Sequence, residues 1–287
     1  MSLKTRKKNN SHLELIEQGL RRFLPRTTAY PSDVHEAMRY AVLGGGKRFR
    51  PSVVLAACEA VGGDFRKALL PACGIEMIHA YSLVHDDLPA LDNDDTRRGK
   101  PTCHKQFGEA IAILAGDALL TRAFQLLSRV KPAEKAVALV REMSEAAGTE
   151  GMIGGQVADI LLAQNGKSAP VDISILDYIS RSKTGRLIQA SAVLGAIVGT
   201  DSSSKIQRIR RFGAALGLAF QVVDDIMDGD GYLQVMQTDE ARKKAEELIT
   251  GANQEAASFG RRGERLRELA DFLFHTIPTH VPVGLKN

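Results

Sequence analysis

Residues 81–102 read YSLVHDDLPALDNDDTRRGKPT, and the rest of the chain is organised around them. An apolar run ends abruptly in Asp86 and Asp87. Asp92, Asp94 and Asp95 follow, then Arg97 and Arg98. Carboxylates this close repel one another at neutral pH, so a fold keeps them only where water solvates them or cations neutralise them. Hard divalent cations, Mg2+ above all, prefer carboxylate and phosphate oxygens and tend to bridge the two. The planar fork of an arginine suits phosphate oxygens. The stretch therefore points to a site for Mg2+ and an oligophosphate. A polar surface loop is the plainer alternative.

Residues 68–88 predict a long apolar helix leading into this stretch, with Glu76 and His79 inside it. His79 stands seven residues before Asp86, two turns away on nearly the same face, where it can line the same cavity. Pro89 cannot continue a regular helix, so a bend is expected just after the first aspartate pair. Asp86 and Asp92 are about 120° out of phase on an ideal helix. They can share a metal only if that irregularity re-aims one of them.

Upstream, residues 11–24 carry Leu13, Ile16, Leu20 and Leu24 at helical spacing, and a second helix is expected over 32–43. Residues 44–51 then read GGGKRFRP. Glycines before a basic cluster let backbone and cations approach a phosphate, although a helix C-cap with solvated charges explains the same residues. This is not the nucleotide P-loop pattern.

Downstream, helices are expected over 108–128 and 134–148, followed by GMIGGQVADI, where Gln156 and Asp159 face the same way. Residues 163–172 read as a loop. Residues 173–199 read as one apolar helix with a polar break at Ser182-Lys183-Thr184-Gly185. In the helix 205–228, Gln221, Asp224 and Asp228 lie on one face with Asp225 adjacent. A helix this apolar should not carry three carboxylates without partners. Residues 238–275 read as charged, peripheral helix. Strand patterns are lacking, so the expectation is an all-α single-domain bundle of about ten helices around a central cavity. Residues 1–10 are expected to be a disordered basic N-terminus or a cloning remnant, 11–277 the domain and 278–287 an irregular tail.

Composition narrows the function. Net charge is +4, with 38 Lys plus Arg against 34 Asp plus Glu, too mild for a nucleic-acid footprint. Cys58, Cys73 and Cys103 form no CxxC pair; they suit a reducing cytoplasm and buried apolar roles. No apolar run approaches the roughly 18 residues of a membrane span, and no signal peptide is evident.

The two acidic clusters and the basic residues near them together resemble the trans-prenyltransferase family, the isoprenyl diphosphate synthases. GGGKRFRP resembles GGKRxRP. DDLPALDNDDTRRGKPT resembles the first Asp-rich motif in its longer form, DDxxxxD followed by RRGxPT. GGQVAD resembles GGQxxD, and FQVVDDIMD resembles FQxxDDxxD. The likeness runs from about residue 33 to the late 220s. The segment EMIHAYSLVHDDLPALDNDDTRRGKPTCH resembles bacterial farnesyl diphosphate synthases in particular.

The resemblance implies a dimeric all-helical enzyme condensing isopentenyl diphosphate with an allylic diphosphate, dimethylallyl or geranyl. It implies three Mg2+, with Mn2+ as a substitute. Asp86 and Asp92, assisted by Asp87, would hold two ions, and Asp224, supported by Asp225 and Asp228, a third. Arg97, Lys183, Thr184 and Gln221 would contact the allylic diphosphate. Lys47, Arg50, His79 and Arg98 would hold isopentenyl diphosphate. Tyr81 and Ser82 would set product length, the aromatic at 81 favouring farnesyl over geranylgeranyl diphosphate. A catalytically silent regulatory subunit of the same fold is the alternative from another class.

One departure stands out. After FQVVDDIMD the family carries a further lysine-bearing loop, whereas this chain continues DGDGYLQVMQTDEARKKAEEL. Lys243 and Lys244 fall at surface positions and do not replace those lysines. Either the loop is lost, or the printed chain joins across a loop that orders only on ligand binding. The second is favoured, and continuous backbone across 228–233 would refute it.

Overall fold

Apolar periodicity becomes helix along almost the whole chain. The computed structural model describes residues 3–164 and 172–276, with side chains from Ser11 onward. It contains α1 (Leu3–Phe23), α2 (Ser32–Leu43), α3 (Phe49–Ala60) and α4 (Leu69–Asp86). A two-stranded hairpin follows, β1 (Thr96–Arg97) and β2 (Lys100–Pro101). The helices resume with α5 (Cys103–Phe107), α6 (Glu109–Ser128), α7 (Ala133–Ala147) and α8 (Met152–Gln164). The last five are α9 (Ile173–Ile179), α10 (Arg186–Gly199), α11 (Ser203–Asp228), α12 (Thr238–Ala257) and α13 (Glu264–Thr276). The all-α expectation holds. The expected loop over 163–172 and the tail 278–287 lie almost wholly outside the described residues.

The chain divides into two compact units. The first comprises Met1–Leu55 and Arg66–Val140; the second comprises Ala56–Phe65 and Arg141–Asn287.

In the first unit α4 is the central helix. Every residue from Pro71 to Ile78 is buried, the pattern of a helix covered on all sides. Small residues admit its neighbours. Gly74 faces Ala123 of α6, and Gly19 of α1 faces Cys73 and Leu69. Helix α6 is by length and composition apolar enough to cross a membrane, against the expectation that no run would be. It carries Asp117 and Arg122 and packs against α4, which accounts for part of its apolar surface; Ile113 and Leu114 stay exposed. All three cysteines are buried free thiols, as expected.

In the second unit α11 is central. Gly213 lets it approach Gln189 and Ala192 of α10, and a Cβ on Gly217 would fall 2.7–3.1 Å from the Gly185 backbone. Leu218, Val222, Val223 and Ile226 of α11 form one cluster with Leu176, Tyr232, Ala241 and Ala245. The single helix expected over 173–199 is three pieces. A π-helical segment, Ser180–Gly185, separates α9 from α10, at the polar break visible in the sequence. Segments of this kind recur at functional sites. The first helix begins at Leu3.

Candidate active site

The first unit gathers the acidic stretch, GGGKRFRP and His79. Helix α4 stops at Asp86, three residues before Pro89. The chain then folds back, and the Asp92 N–H donates to the Asp86 carbonyl at 2.8 Å, the Asn93 N–H to Leu88 at 3.1 Å. Asn93 adopts φ +53°, a left-handed conformation that asparagine tolerates. This is the irregularity Pro89 required, and it brings Asp92 beside Asp86. Asp92 is exposed and Asp86 half-buried.

Asp87 behaves differently. It is buried at 3% exposure, and Arg97 donates to its Oδ1 through Nε at 2.7 Å and Nη2 at 2.6 Å. Arg97 also reaches Asp94 at 3.5 Å. The hairpin positions both arginines. Arg98 and Gly99 form its turn, with φ of +54° and +74°, as a two-residue primed turn requires. The Tyr40 hydroxyl donates to the Pro101 carbonyl at 2.7 Å and holds the hairpin to α2. Sequence periodicity gave no hint of this hairpin, because each strand is two residues long.

Arg98 turns back to the glycine loop, donating to the Gly45 carbonyl at 2.6 Å. Arg48 lies beneath that loop, 4% exposed. It donates to Glu17 at 2.6 Å, Glu76 at 2.8 Å, and the Val42 and Gly45 carbonyls at 2.9 and 3.1 Å. Glu76, which the sequence placed in an apolar helix without a role, is its buried counter-ion. With Arg48 so committed, Lys47 stays exposed and Arg50 half-buried. His79 sits among this charge. Burial, then Arg50 and Arg98, push its pKa well below the usual 6.5, so the imidazole is neutral at neutral pH. Ser82 donates to the His79 carbonyl at 3.0 Å. Tyr81 is buried at 6% exposure, and its phenol is pushed up to about 12 by burial and then Asp86.

The second unit holds Lys183, Thr184, Gln221 and the second acidic cluster. Lys183 lies in the π-helical segment and pairs with Asp159 at 2.6 Å. Asp159 belongs to GGQVAD, where the sequence reading noted its face but assigned it nothing. A Cβ on Gly155 would fall 2.7 Å from the Lys183 Cα; the glycine is what lets α8 meet this segment. Thr184 is half-buried. Asp224 and Asp228 are exposed on α11, whereas Asp225 is 8% exposed. Gln221 donates to Asp225 Oδ1 at 2.6 Å, and the Tyr232 N–H to Oδ2 at 2.9 Å. Burial raises the Asp225 pKa against those two hydrogen bonds.

The connection after Asp228 is short, a single 3-10 turn over Gly231–Gln234 before α12. Gly229 caps α11 in the left-handed region, and its N–H donates to Asp225 at 2.9 Å. Asp230 accepts from Leu233 at 3.1 Å, and Tyr232 from Val235 at 3.1 Å. Tyr232 is fully buried, its hydroxyl donating to Asp177. Lys244 was expected on the surface. It instead pairs with Asp177 at 2.8 Å and lies 4.2 Å from the Tyr232 ring centre.

The donors suit hard cations. Asp86 and Asp92 offer adjacent carboxylates, and Asp224 and Asp228 offer a second exposed pair one helical turn apart. Among the described residues no group of three or more His, Cys, Asp or Glu converges on one point. Mg2+ commonly takes one or two carboxylates and completes its shell with water and substrate phosphate, so these donor sets fit it.

A helical fold with paired aspartates and a cationic loop suits the binding of metal ions and phosphate groups. Residues 31–253 match the polyprenyl synthetase family, and the chain belongs to it. It is 46% identical over 226 residues to a farnesyl diphosphate synthase of Geobacillus stearothermophilus, covering 77% of this chain and 74% of that protein. It is 50% identical over 220 residues to the heterodimeric geranylgeranyl pyrophosphate synthase large subunit 1 of Arabidopsis thaliana, covering 75% of this chain but 58% of that protein. The chain thus spans under two thirds of the plant protein's length. Among solved structures it is similar to an apo FPP/GFPP synthase from Zymomonas mobilis, with TM-score 0.88, 36% identity and coverage of 96% and 100%.

Proposed function

We propose that this protein is a Mg2+-dependent prenyltransferase joining isopentenyl diphosphate to dimethylallyl or geranyl diphosphate, with farnesyl diphosphate as product. One observation carries the reading. In a single unit, the backbone ties Asp92 to Asp86 while Arg50, Arg98 and neutral His79 gather beside a glycine loop. Carboxylates that suit a metal and donors that suit a diphosphate in one unit support the reading.

Asp86 and Asp92 would hold two ions, and Asp224 with Asp228 a third. When bound, Mg2+ stabilises the charge that develops on the departing diphosphate. Asp87 and Asp225 take positioning roles, since their carboxylates are already engaged, Asp87 by Arg97 and Asp225 by Gln221 and Tyr232. Arg97, Lys183 and Thr184 bind the allylic diphosphate, and Gln221 acts on it through Asp225. Lys47, Arg50, His79 and Arg98 bind isopentenyl diphosphate. His79, neutral, can donate one N–H to a phosphate oxygen without adding charge to an already cationic cluster. Burial around Tyr81 supplies the dry apolar wall that a carbocation needs.

Tyr81 lies five residues before Asp86, ~7.5 Å along the helix axis. A buried aromatic there favours the fifteen-carbon product over a twenty-carbon one. The exposed Ile113 and Leu114 of α6 support a homodimer, and the free thiols support a reducing, cytoplasmic setting. The shortened connection after Asp228, without the expected lysines, is the one feature favouring a silent regulatory subunit. Substitution separates the readings. Asp86→Asn and Asp224→Asn should each lower kcat by about 100-fold or more, as for the loss of one charge-stabilising group. Activity within threefold of the parent in either variant would overturn the assigned metal roles.

A further inference from the structure

Tyr81 is held in an unusual way. A buried tyrosine is normally fixed through its hydroxyl, which finds a hydrogen-bond partner. The Tyr81 hydroxyl is buried and has none among the described residues. Its ring position therefore depends on packing. One aromatic neighbour is His85, one helical turn on, which meets the ring edge-to-face with centroids 5.8 Å apart and planes at 80°.

His85 is fixed firmly in its turn. Its Nε2 lies 3.1 Å from the Ile113 carbonyl of α6. A carbonyl only accepts, so Nε2 carries the proton and donates. The ring also occupies space that Gly116 leaves open. A Cβ at 116 would lie 2.5 Å from Cδ2 and 2.9 Å from Cε1 of the imidazole. No side chain larger than hydrogen fits there while His85 keeps its seat. Helix α6 thus provides a hydrogen-bond acceptor and a notch for one ring, and that ring leans on Tyr81.

We propose that His85, seated on α6 by Gly116 and Ile113, is a positioning residue that holds Tyr81 in place and so sets product length. The inference rests on the reading of Tyr81 as the floor of the hydrocarbon site. His85 does not touch the growing chain in this account; it fixes the residue that does. An edge-to-face pair biases a side chain by about two- to tenfold in population. Losing it lets Tyr81 swing aside for part of the time, whereas Tyr81→Ala removes the floor outright.

The test is product sizing with isopentenyl and geranyl diphosphates for the parent, His85→Ala, Gly116→Ala, Tyr81→Ala and the double variant Tyr81→Ala/His85→Ala. His85→Ala should raise the share of products longer than the parent's by about two- to tenfold with Tyr81 still present. Gly116→Ala should do the same by displacing the ring, and it serves if His85→Ala fails to accumulate. The double variant should match Tyr81→Ala, because His85 acts only through Tyr81. A purely structural role would lower the rate and leave the product distribution unchanged. An active His85→Ala or Gly116→Ala enzyme with the parent distribution overturns the inference, provided Tyr81→Ala lengthens the product. An unchanged product from Tyr81→Ala instead overturns the underlying reading of Tyr81, and with it the inference.

Discussion

Arg48→Met should destabilise the first unit severely, and the structure gives the size of the effect. Arg48 is buried and binds two glutamates and two carbonyls. Removing its charge strands Glu76, whose side chain is 6% exposed. Breaking a buried pair from one side costs about 3–5 kcal/mol. Glu17, 37% exposed, regains water and adds less than about 1 kcal/mol. The Val42 carbonyl loses a donor, about 1 kcal/mol more, while the Gly45 carbonyl keeps Arg98. The sum is roughly 4–7 kcal/mol. Arg48 also sits at φ +50°, a conformation that persists only where the surroundings impose it. Without them the loop bearing Lys47 loosens, and KM for isopentenyl diphosphate should rise more than KM for the allylic substrate. Urea unfolding measures the stability loss, and the Arg48→Met/Glu76→Gln pair measures the coupling. The double variant should recover about 2 kcal/mol, because it no longer buries a lone charge. A loss below about 1 kcal/mol in Arg48→Met would refute the reasoning.

The histidine at position 79 should make stability depend on pH in a defined direction. Its folded pKa lies well below the usual 6.5, through burial and then Arg50 and Arg98. Below 6.5 the unfolded chain binds a proton that the native protein does not, so its contribution is complete above that pH and is lost as pH falls towards the folded value. His79→Gln should flatten the difference in urea midpoint between pH 7.5 and 5.5; an unchanged difference contradicts the assignment. Gly231→Ala should destabilise the second unit by about 2 kcal/mol or more. Gly231 has φ +56°, and a Cβ there would lie 2.7 Å from Asp225 Oδ1. Thermal unfolding within a degree of the parent would show that the connection tolerates the change.

Much of this was legible in the chain itself. The helices followed from apolar spacing, and α11 runs through Gln221, Asp224 and Asp228 as their common face required. Pro89 announced the fold-back that joins Asp92 to Asp86. What could not be read was the direction of side chains whose partners are distant in sequence. Asp86 and Asp87 look alike in a string, yet Asp87 is buried and takes two hydrogen bonds from Arg97, delivered by a hairpin ten residues on. Asp225 turns inward for the same kind of reason, because the Tyr232 N–H arrives from the following turn. Lys244 reads as one charge among many on α12, and Asp177 of α9 is what draws it in. The hairpin itself was too short for alternation to show. The π-helical segment was visible only as a polar break, because backbone geometry depends on the close approach of Gly155 and Gly217.

The central claim is the condensation itself. Purified protein incubated with Mg2+, isopentenyl diphosphate and either dimethylallyl or geranyl diphosphate should release inorganic diphosphate and accumulate a fifteen-carbon prenyl diphosphate. No product with either allylic primer, from folded protein in saturating Mg2+, would contradict it.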